Sequence, residues 1–98
     1  MSAYVLSDVE VRDPVSAAEY RSLAQASIAA YGGRYLTRAG AEIDLVEGNW
    51  EPANVVLVEF PTLADARRWY ASPEYADALR VRDAALTRNM IFVEGSDH

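Results

Sequence analysis

The sequence contains no cysteine and no lysine, and its single histidine is the last residue, His98. Without cysteine there is no disulfide, no thiolate nucleophile and no Cys-based zinc or iron–sulfur site. Without lysine, Lys-based Schiff-base chemistry is closed. One histidine on a terminal tail fits neither a histidine-based triad nor a histidine-led zinc site nor a fixed proximal haem ligand. Walker and dinucleotide-binding glycine patterns are missing too, so neither metal nor cofactor is expected. The net charge of −6, with no lysine among the cations, argues against a nucleic-acid partner, which needs clustered Lys and Arg. No apolar run approaches the ~20 residues of a membrane-spanning helix. Met1 to Arg12 has no basic n-region and carries Asp8 and Glu10 among its apolar residues, so it reads as a strand rather than a signal peptide. A cytoplasmic protein is expected, with no membrane partner.

What is present is an ordinary globular composition. With 51% hydrophobic and 24% charged residues, 98 residues make one domain, 1–98, with 95–98 as a frayed tail. The stretch from Val55 to Tyr75 organises the rest. Val55, Val56, Leu57, Val58 and Phe60 form a β-branched, aromatic-ended strand that Pro61 stops, because proline supplies no ladder N–H. Thr62 and Asp65 have capping-box spacing. Ser72-Pro73-Glu74 restarts the chain as a second helix, with Ser at the N-cap, Pro at the first helical position and an acid in the first turn.

Ahead of that stretch, Ala3 to Val11 alternates as a first strand, with Val5, Val9 and Val11 on one face and Tyr4, Leu6, Asp8 and Glu10 on the other. Asp13-Pro14 opens a helix running to about Tyr31, which Gly32-Gly33 ends. Arg34 to Val46 reads as one long strand bent at a bulge near Gly40, with a tight hairpin there as the alternative. Residues 47 to 54 form a loop. The last helix carries the stripe Tyr75, Leu79, Arg82 and Leu86, and Met90 to Glu94 is the last strand.

This order is the ferredoxin-like βαββαβ pattern of the α+β class: a four-stranded antiparallel sheet with helices on one face. Right-handed crossovers place the first and third strands centrally, the fourth beside the first and the second beside the third. An antiparallel sheet with one wet face should alternate cleanly, yet Val55 to Val58 and Ile91 to Val93 are apolar at consecutive positions. Helices are available for one face only. The other is expected to meet the same face of a second copy, as a homodimer.

Asp13-Pro14, Tyr20, Gly32-Gly33-Arg34-Tyr35-Leu36, Glu47-Gly48 followed by Trp50, Glu59-Phe60-Pro61, Trp69-Tyr70-Ala71-Ser72-Pro73-Glu74-Tyr75 and Arg82 together resemble the pattern of the small bacterial proteins grouped as domain of unknown function 1330. The resemblance spans nearly the whole chain. It implies a dimeric α/β barrel in which two ferredoxin-like sheets face each other with helices outside. That superfamily includes cofactor-independent monooxygenases, isomerases and haem-handling enzymes, with pockets between sheet and helices. Fold membership does not confer a reaction. Where the family often has an arginine shortly before its central strand, this chain reads Pro52-Ala53-Asn54.

The candidate ligand-binding residues are Arg34, Arg82, Trp50, Trp69, Tyr20 and Tyr75. Helical spacing turns Arg82 toward the sheet, where its guanidinium would meet a ligand anion or form an ion pair, to Glu59 or Asp8 for instance. Arg34 follows a flexible Gly-Gly turn and lines a pocket or pairs with an acid. Trp50 and Trp69 floor an apolar pocket or pack in a core or dimer interface, and Tyr20, Tyr70 and Tyr75 need hydroxyl partners wherever they are buried. Two functions fit. One is a cofactor-independent enzyme acting on a small apolar anionic molecule; the other is a non-catalytic ligand-binding or structural homodimer whose arginines belong to ion pairs.

Overall fold

The computed structural model describes residues 1–96, in which seven elements follow one another: β1 (Ala3–Val11), α1 (Pro14–Ala30), β2 (Arg34–Thr37), β3 (Val55–Phe60), α2 (Leu63–Tyr70), α3 (Pro73–Ala85) and β4 (Leu86–Glu94). Asp97 and His98, the end of the expected tail, lie outside the described residues. Each helix starts on a side chain that supplies an acceptor its first turn lacks. The Asp13 carboxylate accepts from the Ser16 N–H at 3.2 Å and hydroxyl at 2.6 Å, and Thr62 Oγ1 accepts from the Asp65 N–H at 3.0 Å. Ser72 Oγ accepts from the Tyr75 N–H at 3.1 Å and donates to the Trp69 carbonyl at 2.7 Å, so it ends one helix and starts the next. Only half of the expected capping box forms at Thr62, because the Asp65 carboxylate pairs with Arg68 one turn on.

The four strands form one antiparallel sheet in the order β2-β3-β1-β4, the ferredoxin-like order expected. Register assigns the faces. Ala3, Val5, Ser7 and Val9 of β1 share a side with Val56, Val58 and Phe60 of β3 and with Leu86, Arg88, Met90 and Phe92 of β4. The helices cover that side. Val5, Ile28, Val58, Phe60, Trp69 and Tyr75 make its core, with Trp69 between Phe60 at 5.3 Å and Tyr75 at 4.2 Å between ring centroids. Gly33 permits the close approach of α1 to β3: a Cβ there would lie 2.7 Å from both Ile28 Cγ2 and Phe60 Cε1. The opposite side carries Tyr4, Leu6, Val55, Leu57, Ile91 and Val93, of which Ile91 and Val93 are 56% and 46% exposed. No described helix is long and apolar enough to cross a membrane.

Two expected boundaries are corrected. The second strand does not reach Val46 and does not bend at Gly40. It ends at Thr37, with its irregularity between Tyr35 and Thr37, because β3 offers β2 a partner only from Leu57 to Glu59. Thr37 closes the ladder by bridging, donating to the Val55 carbonyl at 2.8 Å and accepting from the Leu57 N–H at 3.0 Å. Residues 38–54 then run without a regular element, and Asn54 ties them down by accepting from the Gly40 N–H and donating to the Val9 carbonyl. The second correction is at the last strand, which begins at Leu86 rather than Met90. Leu86 is already extended, at φ −161 and ψ 165, and pairs with Val11, so it lies outside the helical stripe expected to include it. At the far end the Gly95 N–H donates to the Ser2 carbonyl, carrying the ladder one residue past Glu94.

Candidate functional site

The early start of β4 decides where Arg88 goes. Opposite Val9 in the ladder, it projects from the sheet toward the helices, into an apolar layer where a charge needs partners. Its partners are two phenols. Nη1 donates to the Tyr20 hydroxyl of α1 at 2.5 Å and Nη2 to the Tyr75 hydroxyl of α3 at 2.6 Å, while the two hydroxyls are 2.5 Å apart. The Tyr20 and Tyr75 rings meet edge to face at 6.3 Å, and the guanidinium carbon lies 5.4 Å from the Tyr20 ring centre. Among the described residues no ion pair involves Arg88. Burial pulls the Arg88 pKa down, but the adjoining tyrosines outweigh it and hold the group above its ordinary value, so the cation persists. Tyr75 shifts upward through burial first and the neighbouring Tyr20 second, so its proton is held tightly.

A cavity of about 220 Å³ opens beside this cluster, between the sheet and α1. Valines 5, 9, 56 and 58, Leu86, Met90 and Trp69 make its walls, while Ser7, Tyr20, Tyr35 and three arginines, Arg21, Arg38 and Arg88, supply its polar groups. Among the described residues its lining holds no Asp, Glu, His or Cys. That composition suits a small apolar body with a negative end and gives a metal ion no ligand; among the described residues no His, Cys, Asp or Glu cluster could hold one. Arg21 and Arg38 are exposed and Arg88 is half-buried, so positive charge runs from mouth to interior. Arg38 lies over the Tyr35 ring at 4.5 Å. Burial raises the Tyr35 pKa, Tyr20 adds to the rise, and the charges of Arg38, Arg21 and Arg88 oppose it.

The six candidate residues separate. Tyr20 and Tyr75 meet at Arg88, and Trp69 lines the cavity, with its Nε1–H donating to Ser27 Oγ at 3.0 Å. Arg34 pairs with Glu59 on the other side of the sheet at 2.7 Å and is 72% exposed. Glu59 sits below the ordinary carboxylate value chiefly through its hydrogen bond from Arg34. Arg82 pairs with its chain neighbour Asp83 at 3.2 Å and lines a second, more open depression that adjoins the cavity at Leu86, Arg88 and Met90. Trp50 is exposed, its Nε1–H donating to Asp8 at 3.2 Å. The residues that sequence reasoning missed are Arg88, Ser7, Tyr35, Arg21 and Arg38. The alternation Leu86, Arg88, Met90, Phe92 was the available signal for the first.

Fold and site together define a ferredoxin-like α+β protein with an arginine-lined apolar pocket between sheet and helices. The chain belongs to the family described as Domain of unknown function (DUF1330), which matches residues 2–96. Its structural neighbours share the fold. RPA0582, a protein of unknown function from Rhodopseudomonas palustris, is 19% identical over 99% of this chain and 84% of that one, with a TM-score of 0.76. A dimeric ferredoxin-like protein of unknown function from Bacteroides fragilis is 17% identical over 96% of both chains, at 0.62. SnoaB from Streptomyces nogalater, a cofactor-independent oxygenase, is 13% identical over 99% of this chain and 95% of that one, at 0.65. A search of curated proteins gives no match.

Proposed function

We propose that this protein takes a small apolar anion into the cavity between sheet and helices and acts on it without a cofactor, as a homodimer closed through the open sheet face. The observation that carries the reading is Arg88: a half-buried guanidinium whose partners are two phenols, in a pocket with two more arginines and, among the described residues, no acid. A purely structural buried arginine is ordinarily neutralised by a carboxylate. Here a positive site is kept open, suited to a carboxylate, phenolate or enolate. Arg34 and Arg82, each paired with a carboxylate, leave that role to Arg88. The cofactor-independent oxygenase among the structural neighbours supports a cofactor-free reaction on this fold. The dimeric neighbour and the apolar outer face around Leu6, Leu57, Ile91 and Val93 support the homodimer. A ligand-binding dimer without catalysis is the second reading, since among the described residues the pocket has no carboxylate or imidazole base.

A thermal-shift screen of small carboxylates, phenols and quinones is the test. A ligand at a hundred times its Kd stabilises by about 2.7 kcal/mol, and Arg88→Met should abolish that response. No response from any anion, or an equal one in Arg88→Met, sinks the proposal. Turnover of a hit by the wild type, measured as consumption of the compound, separates the enzyme from the binder.

A further inference from the structure

Counting donors gives the tyrosine pair a direction. A guanidinium only donates, so each phenol oxygen accepts one hydrogen bond from Arg88. Tyr75 is fully buried, and among the described residues the one acceptor bonded to its hydroxyl is the Tyr20 oxygen at 2.5 Å. A buried hydroxyl proton without an acceptor is costly, so Tyr75 donates to Tyr20. The Tyr20 oxygen then receives Tyr75 and Arg88 on its two lone pairs, and its own proton is left over. Tyr20 lines the cavity and Tyr75 does not. Tyr20 therefore offers the cavity a donor and no acceptor.

A second hydroxyl meets the same space from the sheet. Ser7 is 4% exposed and lies in β1 between Val5 and Val9, opposite Val56 and Met90, where strand packing calls for an apolar residue. Among the described residues its hydroxyl has no hydrogen-bond partner, and no fully enclosed side-chain polar atom lacks one, so this hydroxyl opens onto the cavity it lines. Ser7 faces Met90 in the ladder, and Arg88 is two residues along on the same face. Such diagonal neighbours lie roughly 7–8 Å apart, close enough for one small molecule to touch both.

On the reading that the cavity binds an anion, we propose that Tyr20 and Ser7 are its ligand-reading hydroxyls, with Tyr75 a positioning residue. Tyr20 donates to the anionic oxygen that Arg88 attracts, and Ser7 donates to a second oxygen on the same molecule. The ligand class is a small flat acid with an oxygen beside its acid group, an ortho-hydroxyaryl acid or a 2-oxo acid. Valine walls and Trp69 accommodate the flat body, and a volume of about 220 Å³ excludes large ones.

Benzoate and salicylate differ by one ortho hydroxyl and serve as probes, titrated by NMR at fixed pH and salt into the wild type, Arg88→Met, Ser7→Ala, Tyr20→Phe, Tyr75→Phe and the double Tyr variant. Salicylate should bind the wild type several-fold tighter than benzoate, and Ser7→Ala should erase that preference by weakening salicylate several-fold more than benzoate. Tyr20→Phe should weaken both probes about ten- to a hundredfold, the range for a lost hydrogen bond to a charged group. Tyr75→Phe keeps the ring that packs on Trp69 and should weaken both by a smaller factor. Once Tyr20 is Phe, the further change at Tyr75 should cost nothing. Multiplying losses in the double variant overturn the positioning role, and a salicylate preference surviving in Ser7→Ala, or never present, overturns the second contact. If benzoate binds in an Arg88-dependent manner without these dependences, this inference falls and the anion site stands. Failure of both probes to bind at tens of millimolar brings down both.

Discussion

Replacing Arg88 by methionine tests whether the guanidinium serves the fold or the pocket. Two opposing terms set the outcome. The substitution removes two charge-assisted hydrogen bonds, to Tyr20 and Tyr75, worth about 1.5–3 kcal/mol each. It also relieves the desolvation of a half-buried cation, roughly several kcal/mol, and adds an apolar side chain among Val9, Met90 and Leu86. No buried donor is stranded, because Tyr75 still donates to Tyr20. The two terms nearly cancel, and the ligand-free variant should stay within about 1 kcal/mol of the wild type. A structural ion pair behaves differently, since removing one partner there strands a charge at about 3–5 kcal/mol. Urea melts read the difference through the midpoint at constant slope. Arg82→Met is an internal control expected to change little, because Asp83, its partner, is 87% exposed and surface pairs contribute about 0–1 kcal/mol. A loss above about 3 kcal/mol in Arg88→Met at unchanged slope would refute the reasoning and make Arg88 a strut of the core.

Ser72→Ala should lower stability by about 1–2 kcal/mol, since the hydroxyl caps α3 through the Tyr75 N–H and also donates to the Trp69 carbonyl. An unchanged urea midpoint would show that neither bond contributes. Sedimentation at micromolar concentration should find a dimer, and Ile91→Glu, which puts charge on the open sheet face, should shift it toward monomer without altering the far-ultraviolet dichroism. A monomeric wild type refutes the interface.

Local chemistry made most of the fold legible. Asp13-Pro14, Thr62 and Ser72-Pro73 each mark a helix start by an interaction confined to one turn, and all three positions cap as their residue types imply. The strand order followed from the element order and the handedness of crossovers, which depends on chain twist rather than on particular residues. What escaped was the extent of two strands, and the reason is the same for both. Strand length is set by what the partner offers across the sheet. Arg34 to Arg38 and Ile43 to Val46 both have strand-like residues on either side of Gly40, yet Ile43, Leu45 and Val46 are 39%, 49% and 85% exposed, because the pairing of β2 with β3 ends at Thr37. Leu86 continues a helical stripe in sequence, but β1 is long enough to pair with residues 86–89 back to Val11 and draws them into the sheet.

The second of these boundaries determines which arginine faces the pocket. On a helix extended through Leu86, the period of 3.6 selects Arg82 as the cation turned toward the sheet, and Arg88 falls in an unassigned connection. With the helix stopped at Ala85, the period becomes 2 from Leu86 onward. Arg88 then takes the helix-facing side with Met90 and Phe92, and Arg82 pairs at the surface with Asp83. Tyr20 and Tyr75 were legible as aromatics on helical stripes, but their meeting was not, because they lie 55 residues apart and only the packing of α1 on α3 over β4 joins them. Ser7 sat in view in the first strand as one polar residue in an otherwise apolar alternation, Ala3, Val5, Ser7, Val9. A strand that faces a core admits a serine at little benefit to packing, so such a residue is best explained by what it touches. Here that is a cavity whose other polar groups include phenols and arginines, and the serine and the arginine left unassigned in the sequence line it together.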